Sequence, residues 1–171
     1  MPEELLLQTP RFNVVRDSYA TSTGQTKSRE IVRHPGAVVI VPRLADGSVC
    51  LIRNYRISVK QTLIELPAGT LDPGESPQTT AERELIEETG YRAGSMQLLH
   101  SFYLSPGILD ERMHLFLATD LQAGETAREV GEEITNLVVP WGEAIEMIFR
   151  GEIQDAKTIA GLLYVQHRDA G

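Results

Sequence analysis

Residues 69–91 constrain this chain more than any other stretch. They read Gly-Thr-Leu-Asp-Pro-Gly-Glu-Ser-Pro-Gln-Thr-Thr-Ala-Glu-Arg-Glu-Leu-Ile-Glu-Glu-Thr-Gly-Tyr. Ser76 is a good N-cap and Pro77 suits the first helical position. Gly90 is a natural C-terminal stop, so the pattern predicts a helix from Pro77 to about Thr89. On that helix Glu84 and Glu88 are four apart and share a face, with Glu87 bordering it. Ala81 and Leu85 form the buried stripe alongside. Arg83 precedes Glu87 by four and is placed to pair with it, while Glu75 is placed to fold back over the first turn.

Glu75, Glu84, Glu87 and Glu88 bring four carboxylates into fourteen residues. Like charges at helical spacing each cost a few tenths of a kcal/mol, roughly. A hard divalent cation such as Mg²⁺ removes that cost, because carboxylate oxygens are its preferred ligands. An acidic helix edge beside a glycine loop suits metal-assisted attack on a phosphate. Taken alone, Arg-Glu-Leu-Ile-Glu-Glu reads more readily as a solvated charged face. The spacing of the preceding loop is what distinguishes it.

With 171 residues and 42% hydrophobic content, the chain has enough apolar side chain for one domain with a sizeable core. A net charge of −8 argues against a nucleic-acid partner. It is compatible with an anionic metabolite bridged by cations. The lone Cys50, within Val49-Cys50-Leu51-Ile52, reads as a small buried hydrophobe and fits a cytoplasmic location. No apolar run is long enough to span a membrane. Met1-Pro2-Glu3-Glu4 lacks the basic start of a secretory signal.

Two β-like segments, Phe12–Tyr19 and Ser28–Val32, flank the turn-rich 21–25. They predict a hairpin or small N-terminal sheet over 1–35, able to pack on a second copy and give a homodimer. The main domain follows over 36–171. Strands are expected at Ala37–Val41, at Ser48–Arg53 paired to it through the Asp46-Gly47 turn, and at Thr62–Leu66, closed by Pro67-Ala68-Gly69. Later strands are expected at Gln97–Leu104, Met113–Leu121 and Ile134–Val139. Further helices are expected at Gly142–Arg150 and Ala156–His167. Many strands among few helices imply an α+β sandwich of mixed sheet between helices.

Gly69, Glu75, Arg83-Glu84-Leu85, Glu87-Glu88 and Gly90 together resemble a complete Nudix box, with Tyr91 standing where an aliphatic residue is usual. Nudix hydrolases cleave nucleoside diphosphates linked to another moiety. The resemblance implies an α/β/α sandwich with a mixed sheet. It also implies Glu84 and Glu88 as principal metal ligands, Glu87 in support, the carbonyl of Ala68 as a further ligand, and Arg83 holding the glutamates. Mg²⁺ is the implied cation, with Mn²⁺ able to substitute.

Outside the box, Ser105-Pro106-Gly107 followed by Glu111 is similar to the marker of ADP-ribose pyrophosphatases. So are Arg53-Asn54-Tyr55-Arg56, Glu65-Leu66-Pro67-Ala68-Gly69 and the segment from Arg29 to Val38. Arg56, Glu65, Ser105, Pro106, Gly107 and Glu111 are therefore the expected substrate contacts, although Ser-Pro-Gly alone is a common turn and a lone arginine a common surface charge. By the same resemblance a glutamate on the loop at 127–134 would act as base. Glu132 is preferred over Glu133 and Glu129, against a plain solvated loop. Phe12 and Tyr19 are candidates for an adenine clamp and equally for packing. Trp141 is expected to pack, as are His34, His100, His114 and His167, which lack metal-ligand spacing.

The leading expectation is Mg²⁺-dependent hydrolysis of ADP-ribose to AMP and ribose 5-phosphate. The alternatives are another nucleoside diphosphate sugar such as GDP-mannose, or a catalytically silent nucleotide-binding module.

Overall fold

The computed structural model describes residues 3–126 and 134–170. The chain begins with β1 (Glu4–Gln8), β2 (Asn13–Ala20) and β3 (Thr26–Arg33), an antiparallel sheet in the order β1-β2-β3. The expected hairpin is present: Asn13 faces Arg33 and Ala20 faces Thr26 across it. Thr21 and Gly24 close its turn, with Gly24 at φ 78°. β1 is an addition to the sequence reading. Its Leu5-Leu6-Leu7 run shows no alternation, and in the structure all three leucines stay 40–55% exposed.

The main domain contains β4 (Ala37–Pro42), β5 (Val49–Arg56), β6 (Gln61–Glu65), β7 (Ala68–Thr70), α1 (Pro77–Thr89), β8 (Tyr91–Tyr103), β9 (Arg112–Ala123), β10 (Ile134–Val139), α2 (Trp141–Phe149) and α3 (Ala156–Ala170). A four-stranded sheet runs β7-β4-β9-β8, with β4 parallel to β9 and the other pairings antiparallel. A second sheet runs β10-β5-β6. The α+β reading with mixed sheet holds.

β4 explains the layering. Every one of its residues is buried. Val38 and Ile40 pack with Phe116, Ala118 and the Ala81 and Leu85 of α1. Ala37, Val39 and Val41 face the other way, toward the second sheet, α2 and α3. The period-two alternation of a strand therefore feeds two cores at once. Cys50 is fully buried in β5, as expected.

One pairing departs from the sequence reading. The Asp46-Gly47 turn forms, with Gly47 at φ 84° and its amide bonded to the Leu44 carbonyl. The strand after it does not pair along β4, however. A single bridge joins Arg43 to Val49, and β5 then runs between β10 and β6. Both edges of β4 are already taken by β7 and β9. β5 carries four consecutive buried residues of its own, Val49–Ile52, and both of its edges are paired in the second sheet, by β10 and β6. β8 also begins earlier than expected, at Tyr91 directly after the helix stop, because its first three residues pair with Leu121–Ala123 through side chains of mixed polarity.

Candidate active site

α1 starts and stops where its sequence dictates. The Ser76 side chain accepts from the Thr79 amide, Pro77 opens the helix, and Gly90 ends it at φ 78° with its amide on the Ile86 carbonyl. This fixes the phase of the glutamates. Arg83 sits among them. Its Nε and Nη2 donate to the two oxygens of Glu75 at 3.1 and 3.0 Å. Its Nη1 donates to Glu84 at 2.7 Å and to Glu87 at 2.9 Å. One guanidinium thus holds three carboxylates by charge-assisted bonds. The Arg83 contact, aided by a hydrogen bond from Thr80, holds the Glu75 carboxyl down to about 2. The same contacts, Glu75 foremost, raise Arg83 above its ordinary value.

The fourth carboxylate faces β7. Glu88 is only 5% exposed, and it accepts the Ala68 amide at 2.9 Å. Glu84 lies against Gly69 so closely that a Cβ there would sit 1.9 Å from its carboxyl carbon. A side chain at Gly69 would thus displace the Glu84 carboxylate, and no unusual backbone angle is involved. Among the described residues, no three His, Cys, Asp or Glu side chains already converge as a metal cage. The donor set at Glu84, Glu87 and Glu88 is nevertheless all oxygen and anionic, and the space left by Gly69 admits a carboxylate beside backbone. That chemistry fits a hard divalent cation.

Next to this cluster lies a cleft of about 390 Å³, whose lining includes Ala68, Gly69, Arg56, Glu65, Glu111 and Lys157. Arg56 grips Glu65 as a two-bond fork, Nε to Oε1 at 2.7 Å and Nη2 to Oε2 at 2.6 Å. Lys157 Nζ reaches the same Oε2 at 2.6 Å and Asp155 at 3.0 Å. Burial alone would raise the Glu65 carboxyl, but the bonds from Arg56 and the Lys157 charge outweigh it and hold it below the usual range. Arg56 is raised in turn, chiefly by Glu65. Glu111, on the opposite side of the sequence, lies 3.6 Å from His34 Nδ1.

Four expected site residues outside α1 (Arg56, Glu65, Ala68 and Glu111) thus share one cleft. Ser105-Pro106-Gly107 is placed differently. The Ser105 carbonyl accepts from Ile108 and Leu109, closing a turn. Pro106 and Gly107 line a neighbouring cavity of about 400 Å³ with Arg29, Ile31 and Tyr103. Phe12 and Tyr19 are partly exposed on the N-terminal sheet and do not line the cleft. Glu129, Glu132 and Glu133 lie outside the described residues.

Two of the histidines make packing contacts: His114 Nδ1 lies 2.9 Å from Ser101 Oγ, and His100 stacks on Tyr164. Trp141 packs beneath the Arg43 guanidinium. Sequence reasoning missed Lys157 and Asp155. Asp155 caps α3 through the Thr158 amide and hydroxyl. That Asp-x-x-Thr pattern could have placed Lys157 in the first turn, but nothing local marks its contact with Glu65.

The profile of the NUDIX domain matches residues 32–162. The chain belongs to the NUDIX family. It is 40% identical over 156 residues to a methanol dehydrogenase activator of Bacillus methanolicus, spanning 90% of this chain and 84% of that protein. It is 39% identical over 149 residues to an ADP-ribose pyrophosphatase of Bacillus subtilis (strain 168), spanning 86% and 80%. A GDP-mannose pyrophosphatase of Shigella flexneri is 35% identical over 175 residues, spanning 90% and 91%. A solved structure described as an ADP compounds hydrolase shares the Nudix fold, with a TM-score of 0.84 at 24% identity over 98% of this chain and 91% of that one. The Nudix match takes in the whole α1 cluster and the cleft, and leaves out most of the N-terminal sheet.

Proposed function

We propose that the protein hydrolyses the diphosphate bond of ADP-ribose, giving AMP and ribose 5-phosphate. The observation that carries this reading is the Arg83-bound carboxylate cluster opening beside the cleft that holds Arg56. Similarity to the Bacillus subtilis ADP-ribose pyrophosphatase supports the choice of substrate.

In this reading the diphosphate lies along Ala68–Thr70, with Arg56 on the cleft side and α1 on the other. Glu84 and Glu88, with Glu87 and the Ala68 carbonyl, would hold Mg²⁺, or Mn²⁺ in its place. Such a cation supplies charge neutralisation at the phosphates and a more acidic water. Arg83 aims Glu84 and Glu87 by its hydrogen bonds, and Glu75 in turn anchors Arg83. Arg56 offers a fixed cation to the phosphate oxygens. Hydrolysis forms one bond from water oxygen to phosphorus and breaks one bridging P–O bond. Glu132 is the proposed acceptor of the water proton, with Glu133 and Glu129 as the neighbours to compare. Glu111, which lines the cleft, and the Ser105-Pro106-Gly107 turn, which borders a separate cavity, are the further proposed substrate contacts.

The N-terminal segment 1–35 is proposed as a dimerisation appendage to a hydrolase domain at 36–171. The exposed leucines of β1, with Phe12 and Tyr19, support this. A mass near 19.0 kDa by light scattering would refute it. Among the described residues no helix is long and apolar enough to cross a membrane, and the buried Cys50 supports a reducing, cytoplasmic setting.

The test of function is a substrate panel with Mg²⁺ and Mn²⁺. ADP-ribose should rank among the best substrates, with AMP released. A clear preference for GDP-mannose, the substrate named for the Shigella flexneri relative, would move the reading to that sugar. Binding of ADP-ribose without turnover in excess Mg²⁺ would indicate a silent module.

A further inference from the structure

Lys157 occupies a position that its own element disfavours. It is the second residue of α3 and only 7% exposed. A helix N-terminus carries partial positive charge, which repels a cation, and lysine is almost never buried unless paired. Asp155, the α3 cap, meets part of this cost with its Oδ1 at 3.0 Å from Nζ. The remaining partner is Glu65 Oε2 at 2.6 Å, from a residue 92 positions earlier in the chain.

Glu65 is fully buried and connects two cations. Its Oε1 takes Arg56 Nε, and its Oε2 takes both Arg56 Nη2 and Lys157 Nζ. Arg56 Nη1 makes no hydrogen bond among the described residues, and the guanidinium lines the cleft. Stability does not by itself account for such a cluster, because buried ion pairs are often replaceable by apolar side chains without loss. Orientation does account for it. With Glu65 tied down on the Lys157 side, the fork to Arg56 has one geometry, and the remaining nitrogen has one direction.

We propose that Lys157 is a positioning residue: it holds the Glu65 carboxylate so that Glu65 presents Arg56 to the diphosphate of the substrate. This rests on the hydrolase reading above for the identity of what Arg56 meets. Lys157 acts through Glu65 and need not touch substrate. Removing it leaves Arg56 present but mobile, which weakens ground-state and transition-state binding alike.

The experiment compares Arg56→Ala, Lys157→Met and their combination, using the nucleoside diphosphate sugar that the wild type cleaves best. Each single change should raise KM about 10-fold with kcat within about threefold. The combination should be no worse than Arg56→Ala alone, since both act through one group. A KM in the combination near the product of the two single effects would overturn the proposal, as would an unchanged KM in Lys157→Met. If Lys157→Met does not fold because Glu65 is left unpaired, Lys157→Met with Glu65→Gln removes both charges. That pair should show the Arg56→Ala phenotype, and a wild-type KM there would overturn the proposal.

A readout independent of turnover separates this from the functional reading. In ¹⁵N NMR of the wild type, the Arg56 Nε–H should give a distinct, slowly exchanging resonance that is lost in Lys157→Met. Persistence of that resonance would overturn the positioning role even in an active enzyme. Absence of hydrolysis of any nucleotide sugar would instead overturn the functional reading and leave the resonance to decide the role of Lys157.

Discussion

The two charged regions of this molecule are built by opposite routes. The α1 cluster draws Glu75, Arg83, Glu84, Glu87 and Glu88 from one continuous stretch, and its geometry follows from a cap, a proline and a stop. The cleft cluster draws Arg56 from β5, Glu65 from β6 and Asp155 and Lys157 from the start of α3. In the first, one arginine serves three carboxylates; in the second, one carboxylate serves two cations. A local cluster survives small movements of the domain because its parts move together. A cluster assembled across 92 residues depends on the packing between β6 and α3, where the Leu66 amide also bonds to Thr158.

The sharpest way to break this contrast is to damage α1 without unfolding it. Glu88→Gln keeps an oxygen for the Ala68 amide and removes the charge, so the fold should persist. Turnover should fall at least about 100-fold, more than is typical for loss of an outer-shell partner. Full activity measured by AMP release would remove Glu88 from the metal site. Next, Gly69→Ala would push the Glu84 carboxylate out of its place. Mg²⁺ affinity, read from the rise of Tm with added Mg²⁺, should weaken about 10- to 100-fold. An unchanged midpoint would show that Glu84 does not need its present position.

A pH titration probes the α1 cluster through Glu75. The folded Glu75 carboxyl lies at about 2, below its ordinary 4.5, so its stabilising share is full above about 4.5 and is lost as pH falls toward about 2. Urea unfolding across that range should show a shallower acid decline in Glu75→Gln. Identical acid limbs would mean that the Arg83 contact is not felt globally. The smallest effect is expected at the cap: Ser76→Ala should cost about 1 kcal/mol in urea unfolding, with Mg²⁺ dependence retained. A larger loss would mean that the start of α1 also supports the Glu75 turn.

The sequence made α1 legible to the residue because every signal there is short-range. Cap, first-turn proline, terminal glycine and i,i+4 pairing are all read within one window. Arg56 and Glu65 were also legible, through their similarity to a subfamily pattern, though their mutual fork was not. β5 was misplaced because a tight turn normally implies pairing with the preceding strand, and the competition of β7 and β9 for the edges of β4 is invisible locally. Ser105-Pro106-Gly107 was read as one site with Arg56. The turn instead faces a cavity bordered by β3, a separation that only the packing of the N-terminal sheet creates.

From the amino-acid order alone came the acidic helix, most of the strands and the N-terminal hairpin, and the resemblance of residues 69–91 to a Nudix box added the diphosphate chemistry. Hydrogen bonding within a few residues carries that information. The tertiary structure alone decided that β5 leaves β4, that Glu84 needs Gly69, and that Lys157 meets Glu65. Each is a contact between elements far apart in sequence. Such contacts are set by which buried faces compete for cover, and by where charge can be buried only in company.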